Sequence, residues 1–506
     1  MRIFLSILIM CSPLAMSGQQ RSLTDSLHYR AEFQTTLSTG DNTPLWLNAN
    51  KYGLSSLKTA NGYMRGAIER PLSVDNDRKW GIGYGIDVAV AAGFTSTLVV
   101  QQAYVEGRWF KGTLTVGAKE YPMELKNQEL SSGSQTLGIN ARPVPQVRLA
   151  LPEYWNIPGT KNWLALKGHI AYGKTTDDGW QKDFKSPQSR YTEGTLYHSK
   201  AGYLRVGPGR FNVELGLEMA CQFGGKTFKK ENGEDVVIEN ETGIKSFWHA
   251  FVPGGAGSDE ATSDYKNAEG NQLGSWVMRM NYDANDWSLS VYADHFFEDH
   301  SALFMIGYNG YGEGSEWKTK KDSRFFLYDL KDLMLGAELN LKHNNWLQTI
   351  VLEYLYTKYQ SGPLYHDHSQ YISSNIFGLD HYYNHHLFTG WQHWGQVIGN
   401  PLYRSPLYNT DGDISVENNR FVAWHLGVSG RPLAQLSYRV LATYQTGYGS
   451  YSNPIIPKQH QGNVLVEASY QFDKGWFVKG AIGFDFGKIH GDNQGLQFTV
   501  IKKGVL

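Results

Sequence analysis

A period of two, repeated along most of the chain, constrains this sequence more than any other feature. Phe211, Val213, Leu215, Leu217, Met219, Cys221 and Phe223 fall on one face of an extended chain, and Asn212, Glu214, Gly216, Glu218, Ala220 and Gln222 fall on the other. Successive side chains of a β-strand point to opposite faces, so the segment reads as a strand with one apolar and one polar side. Segments 162–174, 333–344, 434–446, 464–472 and 476–486 repeat the pattern. Such runs extend over about 10–13 residues, against about 5–6 for the usual globular strand. They match the length of a tilted strand that crosses a bilayer.

The links between runs alternate in length. Short turns are predicted at Gly207-Pro208-Gly209, Asp283-Ala284-Asn285, Asn344-Asn345, Arg431-Pro432 and Asp473-Lys474-Gly475. Long links are predicted over 224–273, 298–332, 361–419 and 448–460. Short turns at one end and long loops at the other build an outer-membrane barrel. About eighteen strands are expected, starting near 28, 62, 80, 96, 112, 145, 162, 197, 210, 274, 286, 333, 346, 420, 433, 461, 475 and 495. The even count places both termini at the turn end, which is periplasmic. Tyr29, Trp80, Trp109, Trp163, Trp276, Trp287, Trp346 and Trp476 are expected near strand ends, where aromatic girdles meet the membrane interface.

Composition agrees. There are 55 Gly, 31 Tyr, 23 Phe and 15 Trp, too aromatic for a disordered chain. Mean hydropathy is −0.42, and no long apolar run follows the N-terminus, which excludes a helical membrane protein. Lys and Arg number 47 against 48 Asp and Glu, so no basic excess points to nucleic acid. Residues 1–18 read as a secretory signal peptide: Arg2, an apolar core from Ile3 to Met10, and small residues before Gln19. Lipid attachment at Cys11 is the weaker reading, because Met10 before it is not small. Residues 19–506 then form one domain, expected in the cell outer membrane. Cys221 is its single thiol, so neither an intrachain disulfide nor a cysteine zinc site is available.

Little in the chain resembles catalytic machinery. There is no GxSxG, HExxH or P-loop, and no enzyme activity or cofactor is expected. Gly81, Gly83 and Gly85 sit on one face of a strand, where they make room for a bend or a packed side chain. One long loop carries His366, His368, His381, His385, His386 and His393. His381 and His385 would share a helix face and, with Asp380, are weak metal candidates; the bland alternative is a polar loop over the barrel mouth. Segment 380–408 interleaves rings and planar polar groups, as a sugar-binding surface does. Trp391, Trp394 and Tyr403 are the expected stacking platform, and Asn400 and Arg404 the hydrogen-bonding groups. Pro143 and Pro145 stiffen the chain after Asn140 and Arg142. That segment either holds these two side chains in the lumen, closing it against wall acids, or is an ordinary rigid lead into a strand.

Ser131-Ser132-Gly133-Ser134 after Leu130, and Asn140-Ala141-Arg142-Pro143-Val144-Pro145-Gln146, give the chain a resemblance to a known family. With Thr43-Pro44-Leu45-Trp46 and Gly399-Asn400-Pro401, the sequence resembles the capsule assembly Wzi family in its Bacteroidetes form, over nearly all of the mature chain. The resemblance implies an eighteen-stranded outer-membrane barrel with a plugged lumen. It also implies a lectin-like role in attaching or organising capsular polysaccharide. The ending Lys502-Lys503-Gly504-Val505-Leu506 departs from the Phe or Trp that often closes such barrels. The expected partners are outer-membrane lipid and surface polysaccharide, with the protein a monomer. Two other readings stay open: a porin or transporter for small solutes or glycans, and a secreted soluble β-rich carbohydrate-binding protein or hydrolase.

Overall fold

A computed structural model describes residues 22–253, 270–298, 332–365 and 376–506, with 306–308, 314–316, 319 and 323–325 between them. The signal segment 1–18 and His366 and His368 lie outside the described residues. Eighteen strands form one sheet. They are β1 (His28–Thr39), β2 (Ala60–Arg70), β3 (Trp80–Ala92), β4 (Leu98–Trp109), β5 (Gly112–Ala118) and β6 (Gln146–Asn156). There follow β7 (Leu164–Lys174), β8 (Leu196–Val206), β9 (Phe211–Phe223), β10 (Asn271–Asp283), β11 (Trp287–Glu298) and β12 (Leu333–Leu341). The last six are β13 (Thr349–Tyr356), β14 (Phe421–Gly430), β15 (Leu436–Gly449), β16 (Pro454–Gln471), β17 (Trp476–Gly487) and β18 (Asn493–Val505). Each is antiparallel to the next, and β1 also pairs with β18 from His28↔Val505 to Thr39↔Gln494. The sheet is therefore closed and has no free edge. The chain's ending in Leu506 does not disturb this closure, since β18 stays in register to Val505.

The wall separates two environments. Ile82, Ile86 and Val90 of β3 project outward and are exposed, whereas Gly83, Asp87 and Ala89 face the lumen and are buried. Leu217 belongs to the outer face of β9, and Glu218, fully buried, to the lumen. At the turn end Trp80, Trp109, Trp163, Trp287, Trp346 and Trp476 stand exposed on the exterior as an interfacial ring, with Trp346 at 71%. Trp276 is the exception: it lies mid-strand in β10 rather than at an end. A closed hydrogen-bonded wall, an apolar outer band, an aromatic girdle and short turns are the architecture of the outer membrane, and the protein resides there. The inward glycines of β3 have a packing role. A Cβ at Gly85 would come within 2.8 Å of the Tyr104 ring, and one at Gly83 within 2.7 Å of Glu106 Oε1.

The expected link over 448–460 is not a long loop. β15 and β16 continue outward as a hairpin joined through 450–453, which moves the start of β16 from about 461 to Pro454. The extension carries Lys458, Gln459 and His460 and stands mostly in solvent, so ladder hydrogen bonds rather than an apolar face define it. Within 224–270 the chain makes a hairpin, Lys226–Glu231 with Glu234–Glu239, and then a helix, α1 (Ile244–Phe251). This helix lies against the outside of the wall: Cys221 and Phe223 of β9 pack on Ala250, with Tyr172 and Leu196 beside them.

Candidate functional site

Links through 40–59, 119–145 and 380–420 turn inward. Leu45 N–H donates to Asp485 on β17 at 3.0 Å, and the Trp46 indole donates to Thr443 on β15 at 3.1 Å. Segment 119–145 crosses to the opposite wall. Ser131 Oγ and Ser132 N–H donate to the two oxygens of Glu353 on β13 at 2.6 and 2.8 Å. Lys126 pairs with Asp294 on β11 at 2.6 Å, and Gln135 N–H donates to the same carboxylate. Imidazole nitrogen Nε2 of His425, on β14, lies 2.8 Å from Leu130 O. The wall acids thus accept from plug groups in a water-poor space, where charge-assisted hydrogen bonds are strongest and unpaired ones most costly.

Segment 380–408 packs inside the lumen instead of forming an exposed platform. Trp391, Tyr403 and Asn400 are each 0% exposed. The Trp391 indole donates to Thr136 O at 2.9 Å, and Tyr403 OH donates to Gln135 Oε1 at 3.0 Å. Tyr403 stacks on Tyr383 with ring centroids 4.0 Å apart, and Asn400 Nδ2 donates to Ser132 Oγ and Gly133 O. Arg404 is spent on Glu417 at 2.5 Å and on the carbonyls of Ile489 and Tyr408. Trp394, half-buried, donates to Thr176 Oγ1. The expectation of a solvent-facing ring platform is corrected accordingly. These rings are hydrophobic enough to be drawn into the lumen, and their polar tips find backbone partners there.

Asn140 and Arg142 do face into the barrel, but they do not pair with wall acids. Asn140 accepts from Asn50 N–H at 3.1 Å and donates to Val397 O at 2.9 Å, tying three plug segments together. Arg142 donates to Thr95 Oγ1 at 2.8 Å and lies 4.4 Å from the Trp394 ring centroid. His381 and His385 lie on no helix. His381 Nε2 meets Asn384, and His385 Nδ1 accepts backbone N–H from Leu387 at 3.1 Å, while burial holds this imidazole's pKa well below its ordinary value. Among the described residues no three His, Cys, Asp or Glu side chains are placed to hold a metal.

Toward the turn end the lumen holds a charged vestibule. A cavity of about 750 Å³ is lined by Arg30, Arg65, Glu69, Asp87, Lys119 and Glu120, among others. Arg65 grips Asp87 through Nε at 2.8 and 3.0 Å. The acids and bases of strand interiors were visible in the sequence as polar faces. Which of them meet was not, since each partner lies on a different strand.

No family model matches the sequence, and no curated protein does. Solved structures similar to this one include Pseudomonas aeruginosa OprD, at 11% identity and a TM-score of 0.43 over 95% of both chains. Pseudomonas aeruginosa OccK2, solved in complex with glucuronate, gives 9% identity and 0.45 over 95% of this chain and 98% of that one. A loop-deletion mutant of Vibrio cholerae OmpT gives 8% identity and 0.35 over 94% and 99%.

Proposed function

We propose that the protein is a non-catalytic outer-membrane platform that binds or organises surface polysaccharide, with its barrel closed rather than open. The observation that carries this reading is where the distinctive sequence segments meet. Thr43 to Trp46, Ser131 to Ser134, Gly138 to Pro145 and Gly399 to Pro401 all belong to the plug, the third running straight into β6. The links that carry them touch through Asn50–Ser132, Asn50–Asn140, Asn140–Val397 and Asn400–Ser132. A chain that concentrates its least generic residues on closing its own lumen is built to be closed. The class of ligand comes from the resemblance to capsule assembly Wzi proteins carried by those same segments. With Trp391 and Tyr403 interior, the surface open to glycan is the loop end, including the Lys226–Glu239 hairpin, where Phe228 stacks on Tyr191 at 4.6 Å.

The test has two parts. Purified protein in planar bilayers gives no steady porin-sized current, and cells lacking the protein shed polysaccharide that wild-type cells retain. Steady conductance together with unchanged retention overturns the reading. A second reading, a channel for small solutes, is favoured by the vestibule, which brings water and fixed charge up to the plug. Solute-dependent swelling of liposomes carrying the intact protein would decide for it.

A further inference from the structure

Beside the plug, on the β6–β8 side of the lumen, lies a smaller chamber of about 90 Å³, whose lining includes Tyr121, Arg142, Arg148, His169, Tyr197 and Tyr203. Arg148 faces inward from β6, between the exposed Val147 and Leu149. Its guanidinium lies over the Tyr121 ring, 4.0 Å from the centroid. Its buried Nε has no hydrogen-bond partner, and it makes no ion pair among the described residues. Arg142 comes from the plug, and its Nε is likewise buried and unpartnered. Burial pushes its pKa down to about 10, with Asp177 acting in the opposite direction.

The acids nearby are committed elsewhere. Glu124 pairs with Lys167, Glu106 pairs with Lys119, and Asp177, whose charge acts on Arg142 without pairing with it, accepts through Oδ2 from Gln392 and from Trp394 N–H. Two guanidiniums therefore share this space, which Glu124 also lines, and neither makes a direct ion pair among the described residues. Burying a charge that no opposite charge contacts directly is costly in a protein. Elsewhere in this lumen the wall acids are matched to plug groups, so the omission is local to this chamber.

We propose that the chamber is an internal anion-binding site for a small free oxyanion, a carboxylate or inorganic phosphate, reached from the periplasmic vestibule. The planar fork of an arginine suits such oxyanions. Tyr121 and Tyr197 add hydroxyls to the lining, and Ser199 Oγ is held beside His169 Nε2 at 3.2 Å. The route is given by Tyr52 and Lys119, which line both the chamber and the vestibule. The volume admits a small oxyanion with a few waters, since a water needs about 10–15 Å³ of such space. The chamber lies inside the barrel behind the plug, out of reach of a polymer at the cell surface. The site is thus separate from any surface where polysaccharide binds, and its occupancy is measured without polysaccharide.

The experiment is calorimetric titration of the full-length barrel in detergent with acetate and with sodium phosphate, in a buffer of constant ionic strength. Saturable binding of one anion per barrel is expected. Arg148→Gln and Arg142→Gln should each weaken it at least tenfold. Arg210→Gln, at a turn, should leave it unchanged, and Arg148→Lys should retain part of it. Heat-dependent gel migration confirms that each variant is a folded barrel. Absence of saturable binding to the wild-type protein overturns the proposal. So does equal affinity in Arg148→Gln and wild type, or an equal loss in Arg210→Gln.

Discussion

Lys126 and Asp294 form an ion pair of 2.6 Å between plug and wall, with both side chains all but shut off from solvent. Neither charge has water to fall back on, so the pair acts as a latch whose halves depend on each other. Removing one partner of a buried pair costs about 3–5 kcal/mol, because the other is left uncompensated. Asp294→Ala also frees Gln135 N–H, which donates to the same carboxylate. This variant should keep a heat-stable barrel yet show current steps in planar bilayers that wild type lacks. The double change Lys126→Met with Asp294→Leu should be milder. Silent bilayers for Asp294→Ala would mean the latch does not hold the plug.

Trp391 tests the difference between a surface ring and a structural one. It is fully buried, stacks on Tyr197 at 5.6 Å and donates to Thr136 O. Trp391→Ala should therefore cost about 3–5 kcal/mol as a core truncation. Protease cleavage within 119–145 should rise, along with any loss of polysaccharide. Polysaccharide loss with an unchanged cleavage pattern would restore the ring as a ligand contact.

The facing of the wall predicts opposite outcomes at neighbouring positions. Leu217→Arg or Val440→Arg places a charge on the lipid side, at about 2–4 kcal/mol near the midplane, and should reduce assembled barrel in membranes. Glu218→Ala acts on the lumen. It strands the Tyr203 hydroxyl, which donates to Glu218 at 2.8 Å, so the plug should loosen while the barrel still assembles. Equal assembly of Leu217→Arg and Glu218→Ala would contradict the facing.

Strand number, order and facing were legible because a barrel wall obeys a local rule: each residue of β9 or β17 faces lipid or lumen according to its parity. Strand starts agree with expectation except at β16, where Lys458 to Gln461 break the apolar pattern above the membrane. The plug obeys no such rule. Trp391, Tyr403 and Asn400 look like a sugar-binding surface because the same residue types stack and hydrogen-bond in either setting. Only the length of chain returning into the lumen decides which, and sequence periodicity does not report that. The positive φ of Gly133, and the closeness of Ile398 O and Gly399 O to where a side chain at Gly138 would start, show why these plug segments carry glycine there. A Cβ at Gly138 would lie 2.6 Å from Ile398 O.

Acid should loosen the plug before it loosens the barrel. His385, His393 and His490 are buried in the loops, and burial lowers the pKa of each, that of His490 to about 3 with help from Arg404. All three are neutral when docked and ordinary histidines, near 6.5, when released. The released plug therefore binds more protons as pH falls below about 6.5. Docking loses roughly 1.4 kcal/mol per pH unit for each histidine. Protease sensitivity of 380–420 should be low at pH 7.5 and clearly higher at pH 5, with heat-dependent migration of the barrel unchanged. Equal sensitivity at both values would count against neutral, docked histidines.

The helix α1 carries a built-in reporter. Three polar side chains of the wall's outer face hold its backbone: Tyr172 OH donates to Phe247 O at 2.9 Å, Gln272 donates to His249 O at 3.1 Å, and Lys200 donates to the carbonyls of Ala250 and Phe251. The last carbonyls of a helix lack internal partners, and beside lipid no water replaces them. The cation at the C-terminal end also suits the helix dipole. Lys200→Ala should therefore detach the helix, since hydrogen bonds from charged donors are worth about 1.5–3 kcal/mol. Gln272→Leu, a neutral donor, should do less. Cys221 lies beneath the helix against Ala250 and is fully buried, and Cys11 is the only other cysteine in the chain. A membrane-permeant maleimide should thus label wild-type protein slowly and Lys200→Ala quickly, with Gln272→Leu between them. Detachment should not alter bilayer current, because α1 sits outside the lumen. Slow labelling of Lys200→Ala would show that the apolar contacts of Phe223, Ala250 and Phe247 hold the helix without the lysine.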